Sequence, residues 1–120
     1  MQGFFDMSTL PLSQVAADIC TAPQMQPDAM VELARLGFKS VINNRPDFEH
    51  GPDQPTSSAI QAAAEAAGLQ YRHLPVAGGY QSPEEIAAFG QLMAELPRPV
   101  LCFCRSGARS GKLLAASGSL

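Results

Sequence analysis

The chain has 120 residues, 46% of them apolar, which suits one packed core and a single domain over 1–120. A net charge of −3 argues against nucleic acid or an anionic membrane as a general partner, and no apolar run is long enough to span a bilayer. The opening MQGFFDMSTLPLSQ has no basic stretch ahead of an apolar one, so no secretory signal is expected. Three cysteines, Cys20, Cys102 and Cys104, make a poor disulfide framework, and free thiols in a reducing, cytoplasmic setting are expected.

In chain order, VAADICT (15–21) reads as a strand. QPDAMVELARLG (26–37) reads as a helix with Pro27 in its first turn, Asp28 near its positive end and Gly37 as its stop. FKSVIN (38–43) is a strand, and NRPDFEHGPDQP (44–55), rich in Pro, Gly and Asp, is a loop. TSSAIQAAAEAAG (56–68) is an alanine-rich helix closed by Gly68, and LQYRHLPV (69–76) is a strand running into a proline turn. After a glycine loop, AGGYQ (77–81), comes SPEEIAAFGQLMAEL (82–96), where Ser82 and Glu85 spell a capping box and Ile86, Phe89, Met93 and Leu96 form one apolar stripe. PVLCFC (99–104) is a buried strand, and GARSGKLLAAS (107–117) opens a last helix.

This alternation predicts a three-layer α/β domain, with a mostly parallel sheet of four to five strands and helices on both faces. Ligands bind such sheets at the carboxyl ends of strands. Cys104, the 44–55 loop and the 77–81 loop all fall at such ends and can converge on one pocket.

The charge distribution points to the same place. After Glu95 there is no acidic residue, whereas Arg98, Arg105, Arg109 and Lys112 all follow it, so a small-anion site competes with a solvated basic helix end. GARSGK is no Walker A loop: three residues separate Gly107 from Gly111, and Leu113 replaces the magnesium-binding hydroxyl. A zinc site is not expected either, since one residue between Cys102 and Cys104 is the wrong spacing and His50 and His73 are distant in sequence.

A thiolate fits better. Cys104 ends an apolar strand, and Arg105, Ser106, Gly107, Ala108, Arg109 and Ser110 must curl into a helix. Backbone N–H groups in such a curl form an anion nest at a helix N-terminus. The same dipole, with Arg105 and Arg109, favours the ionised thiol and lowers its pKa. Gly107 permits the turn, Arg109 can fold back onto an anion, and the Ser106 and Ser110 hydroxyls can donate to thiolate or leaving group. Cys20 and Cys102 are expected to be packed, with Cys102 on the opposite side of the strand.

CRSGARS resembles the active loop of rhodanese-like sulfurtransferases and a shortened tyrosine-phosphatase loop. GFKSVINNRPDFE (37–49), YRHLPV (71–76) and VLCFCRSGARS (100–110), in that order, more closely resemble the β-lactamase-hydrolase-like, phosphatase-like family. The resemblance implies a fold like that of the dual-specificity phosphatases, a cysteine nucleophile, and an annotation shared between phosphatase and sulfurtransferase. It also implies chains that stand alone or are fused to sulfur-metabolism domains. The last helix is shorter than the family generally has, so a fragment or a larger fusion is expected.

Four residues separate Cys104 from Arg109, one fewer than in the phosphatase signature, and six separate Cys102 from it. Phe103 stands where those enzymes have histidine, and PVAGGYQSPEE lacks their aspartic general acid. Sulfur transfer through a persulfide on Cys104, from a donor such as thiosulfate or a persulfide to a thiol or cyanide, is therefore the first expectation. A phosphatase passing through a phosphocysteine is the second, with Asp47 as substitute acid; Glu84 is weaker, being already explained by its capping position. A non-catalytic anion-binding or redox-sensing domain is the third. Asp47 is equally readable as a turn residue, Arg45 as a substrate ligand or surface charge, Tyr80 as a lid, and His73 as a packed strand residue. No cofactor is called for.

Overall fold

The structure, a computed structural model, describes residues 9–120. Its strands are β1 (Ser13–Ala16), β2 (Ile19–Ala22), β3 (Ser40–Asn43), β4 (Gln70–His73) and β5 (Val100–Phe103), and its helices α1 (Ala29–Arg35), α2 (Ser57–Ala66), α3 (Pro83–Glu95) and α4 (Ala108–Ala116). The sheet runs in the order β1-β2-β5-β3-β4, parallel except for β1, which pairs antiparallel with β2. The last strand in sequence is therefore the middle one in space, and all four of its residues are buried.

Helices cover both faces, as the alternation predicts, and the side chains of β5 divide between them by strand pleat. Leu101 and Phe103 pack with Met30 and Leu33 of α1 and Ile60 of α2. Val100 and Cys102 pack with Phe89 and Met93 of α3 and Leu113 and Leu114 of α4. Each such large side chain, fully buried, stabilises the fold by about 1.5–3 kcal/mol.

The 15–21 segment is not one strand but the parts of a hairpin, because a turn at Ala17-Asp18 reverses the chain. α1 starts two residues beyond Pro27, with Asp28 as N-cap, so the proline lies outside its first turn. β3 and β4 are shorter than predicted, since only Ser40–Asn43 and Gln70–His73 pair across the ladder. Pleating would place residues two apart on one side, so it cannot turn Cys102 away from Cys104. They are separated because β5 ends at Phe103 and Cys104 belongs to the following turn.

α3 begins as its sequence prescribes. The Ser82 hydroxyl accepts from the Glu85 N–H at 3.1 Å, and Glu85 Oε1 accepts from the Ser82 N–H at 2.8 Å. Ser82→Ala is expected to lower the unfolding free energy by about 1 kcal/mol. Urea denaturation followed by circular dichroism checks this, and an unchanged midpoint would remove the capping box from the account of stability.

Candidate active site

Four residues, 104–107, connect the end of β5 to the start of α4. The turn is clipped to the carboxyl end of β2: the Cys104 N–H donates to the Ala22 carbonyl at 3.3 Å, and the Arg105 carbonyl accepts from the Gln24 N–H at 3.3 Å. Gly107 takes φ 95, where a side chain would be strained, and lies against the backbone of Ala22. Its N–H then points back at the Cys104 sulfur, 3.0 Å away.

Burial pushes the Cys104 thiol up, but the backbone N–H groups of Ser110, Ser106 and Gly107, with the Ser110 hydroxyl, outweigh it and hold the thiol below its ordinary range. The other two thiols show burial without such donors: Cys20 is pushed up to about 11, and Cys102 higher still. All three cysteines are buried, and backbone donors separate the one whose pKa is lowered from the two whose pKa is raised.

Two guanidinium groups flank this turn, both nearly buried, with side-chain exposures of 6% for Arg45 and 9% for Arg109. Arg109 donates from Nη1 to the Val76 carbonyl at 3.0 Å, in the loop after β4. A Cβ on Gly78 would stand 3.2 Å from its Nη2, so the absence of a side chain there lets the loop lie against the guanidinium. Arg45 donates from Nη1 to Gln24 Oε1 at 3.1 Å. Its carbonyl accepts from His73 Nε2 at 2.8 Å, which fixes the proton on that ring nitrogen.

Glu49 joins the two. Its carboxylate accepts from Arg45 Nε at 2.9 Å and lies 3.1 Å from Arg109 Nη2. Burial raises its pKa, and the hydrogen bonds and charges of Arg45 and Arg109 more than reverse that, leaving it below the usual carboxylate range. Among the described residues, Arg109 Nε is the buried side-chain polar atom that lacks a partner.

Asn44 braces the arrangement. Its N–H donates to the Phe103 carbonyl at 2.8 Å, its carbonyl accepts from the Val76 N–H at 3.0 Å, and its Nδ2 donates to the Leu74 carbonyl at 3.1 Å. Its Oδ1 accepts from the Ser110 hydroxyl at 2.8 Å. That hydroxyl has one proton and two acceptors within reach, Asn44 Oδ1 and the Cys104 thiolate.

The loops after β3, β4 and β5 thus meet at Arg109. Of the residues singled out in the sequence, Cys104, Gly107, Arg109, Ser110 and Arg45 come together there. Asp47 is exposed and its Oδ1 accepts from the Ser57 N–H at 2.7 Å, at the start of α2. Arg105, Ser106 and Ala108 are on the exposed side of the turn, and the Ser106 hydroxyl accepts from the Ala108 N–H at 3.3 Å. Tyr80 is 68% exposed. Glu84 is exposed in the first turn of α3. Sequence reasoning missed Glu49, Asn44 and Gln24. Two of them share the NNRPDFE stretch with Arg45, and its density of polar residues at the end of a buried strand was the available signal.

A family model described as beta-lactamase hydrolase-like protein, phosphatase-like domain, matches residues 11–120. A beta-lactamase hydrolase-like protein of Xylella fastidiosa is 43% identical over 94 residues, which cover 78% of this chain and 22% of that protein. The chain therefore spans about a fifth of the length of that relative. Among solved structures, a Neisseria meningitidis protein assigned as a phosphatase has a TM-score of 0.77 and 32% identity, covering 83% of this chain and 70% of that one. Pseudomonas aeruginosa TpbA, in complex with phosphotyrosine, has a TM-score of 0.63 at 21% identity, covering 89% of this chain and 61% of that one. The fold is a cysteine-phosphatase-like one. These relatives fall on the phosphatase side of the expectation and give the sulfurtransferase side no support.

Alkylation by iodoacetamide, followed as a function of pH and mapped by peptide mass spectrometry, checks the thiol assignment. Cys104 is expected to react with a midpoint below the ordinary thiol value of 9.0, while Cys20 and Cys102 stay unmodified until the chain is unfolded. A midpoint for Cys104 at or above that value would contradict the nest.

Proposed function

The chain belongs to the beta-lactamase hydrolase-like protein, phosphatase-like domain family, and on that premise we propose that it is a cysteine phosphatase acting on small aryl phosphate esters. The observation that carries the reading is the Cys104 thiol itself, held below its ordinary pKa at the N-terminus of α4 with the buried Arg109 five positions on. A low-pKa thiol in a nest of backbone donors is both the nucleophile and the seat for an oxyanion.

In the proposed reaction the Cys104 thiolate attacks phosphorus in line. An S–P bond forms as the P–O bond to the leaving group breaks, giving a phosphocysteine. Backbone N–H groups of the 104–110 turn and the Arg109 guanidinium hold the non-bridging oxygens, where charge gathers during transfer. Water then attacks the phosphorus, releasing inorganic phosphate and the thiolate. The four-residue spacing between Cys104 and Arg109, which from sequence alone points to sulfur chemistry, is compatible with a closed nest. The Gly107 N–H still reaches the sulfur at 3.0 Å, and Arg109 is held by the Val76 carbonyl rather than by loop length.

The leaving oxygen gets little help. Glu49 is held ionised by two arginines, and one Asp47 oxygen is engaged at α2. Esters whose leaving group departs as a stable phenolate are therefore favoured over alkyl esters. The phosphotyrosine held by the Pseudomonas aeruginosa neighbour is of that class. The lack of a free acid at the site among the described residues is also the one observation that favours a second reading, sulfur transfer from thiosulfate or a persulfide, because sulfite leaves without protonation.

Turnover of p-nitrophenyl phosphate and of an alkyl phosphate is measured for wild type, Cys104→Ser and Arg109→Lys. Wild type is expected to release phosphate from the aryl ester, Cys104→Ser to release none, and Arg109→Lys to lose roughly a hundredfold in kcat. The alkyl ester is expected to be much slower. Cys104-dependent thiocyanate formation from thiosulfate and cyanide, with no phosphate release, would replace the phosphatase reading by the sulfurtransferase one.

A further inference from the structure

We propose that Glu49 is the internal anion of this site: its carboxylate bridges Arg45 and Arg109 at rest, and an incoming oxyanion takes Arg109 by displacing it. Glu49 thereby sets how strongly an anion must bind to be admitted. The inference depends on the reading of the 104–110 turn as an oxyanion site, but not on which ester or sulfur compound is turned over.

The contacts fit a displaceable bridge. Glu49 Oε1 accepts from Arg45 Nε at 2.9 Å, and its carboxylate reaches Arg109 Nη2 at 3.1 Å through Oε2 and 3.3 Å through Oε1. The Glu49 side chain is 26% exposed, whereas the two arginine side chains are almost covered, so the acid is the member of the trio with room to move. It also sits in a turn, 47–50, in which Phe48 adopts φ 61, rather than in a helix or strand.

The two arginines are anchored unequally. Arg45 is held by Gln24 at Nη1, by His73 at its carbonyl and by Asn43 Oδ1 at its N–H, 2.8 Å away. It can keep Glu49 when Arg109 lets go. Arg109 has one neutral acceptor, the Val76 carbonyl, and a buried Nε with none. A guanidinium with an unused buried donor gains from any acceptor that reaches it, because an unsatisfied buried N–H is costly. An oxyanion seated above Cys104 would accept from Arg109 and from the turn's N–H groups together, leaving Glu49 to Arg45 alone.

Competition and positioning predict opposite signs. If Glu49 competes with the substrate, neutralising it raises the affinity for anions. If Glu49 only orients Arg109, neutralising it lowers that affinity. A partly exposed ion pair corresponds to about a two- to fivefold effect. Glu49→Gln keeps the shape and loses the charge; Glu49→Ala removes both.

The test is the dissociation constant of inorganic phosphate by calorimetry at neutral pH, for wild type and both variants, together with KM and kcat for p-nitrophenyl phosphate and the melting temperature. Phosphate is expected to bind about two- to fivefold more tightly to Glu49→Gln, with KM falling in parallel and no gain in kcat. Weaker phosphate binding by a variant that melts like wild type would overturn the proposal. A measurement on wild type covers the case in which the variants do not fold. During a phosphate titration followed by NMR, the Arg109 Nε–H and the Glu49 carboxylate carbon are expected to shift together. An Arg109 signal that moves while Glu49 stays still would overturn displacement. If wild type binds no phosphate and neither signal moves, the oxyanion reading of the turn falls, and this inference falls with it.

Discussion

The Gly107 N–H points at the Cys104 sulfur from 3.0 Å, and the site is arranged around the turn that makes this contact. The turn must reverse the chain between β5 and α4 in four residues, which Gly107 allows by taking φ 95. β5 is the middle strand, paired on both sides, so the cysteine starts from a rigid part of the sheet. α4 is fixed below by Leu113 and Leu114 in the core. With both ends of the turn held, its backbone N–H groups keep their places, that of Gly107 on the sulfur. They are preorganised for negative charge, whether that charge is the thiolate or the oxygens of a bound ester.

The second constraint is the burial of two guanidinium groups. A buried charge is tolerated when it is paired and its hydrogen bonds are met, and removing one partner from such a group is strongly destabilising. Arg45 and Arg109 find neutral acceptors in Gln24 and the Val76 carbonyl, and share one carboxylate, Glu49. Two positive charges with one negative neighbour leave a net attraction for a further anion. The loops that supply these partners follow β2, β3 and β4, so the shape of the anion site is a property of the whole carboxyl edge of the sheet. Asn44 couples those loops to α4 through the Ser110 hydroxyl, which links the position of the helix to the position of the arginines.

The place of Cys104 and its turn were legible because a strand, a cysteine, a glycine and a helix start follow one another in eleven residues, CFCRSGARSGK. Local geometry follows local sequence there. The alternation of elements was legible for the same reason, and it led to a parallel sheet covered on both faces. The hairpin at Ala17-Asp18 was not, since Asp18 is the one turn-favouring residue in VAADICT and no Gly, Pro or Asn stands beside it. Glu49 was hidden for a different reason. Its role depends on Arg109, sixty positions away, and on a turn through a non-glycine residue at positive φ, neither of which leaves a local pattern. Loop length misleads for the same reason. Spacing along the chain said how far Arg109 was from Cys104, but not that Val76 and Gly78 would hold it in place.

The central claim is that Cys104 carries the transferred group. It is tested most directly by acid-quenching wild type within milliseconds of mixing with an aryl phosphate and identifying the adduct on the Cys104 peptide by mass spectrometry. The account predicts a phosphoryl group on the Cys104 sulfur that disappears when the reaction runs to completion. Phosphate release with Cys104 unmodified at every quench time, or an adduct on another residue, would contradict it.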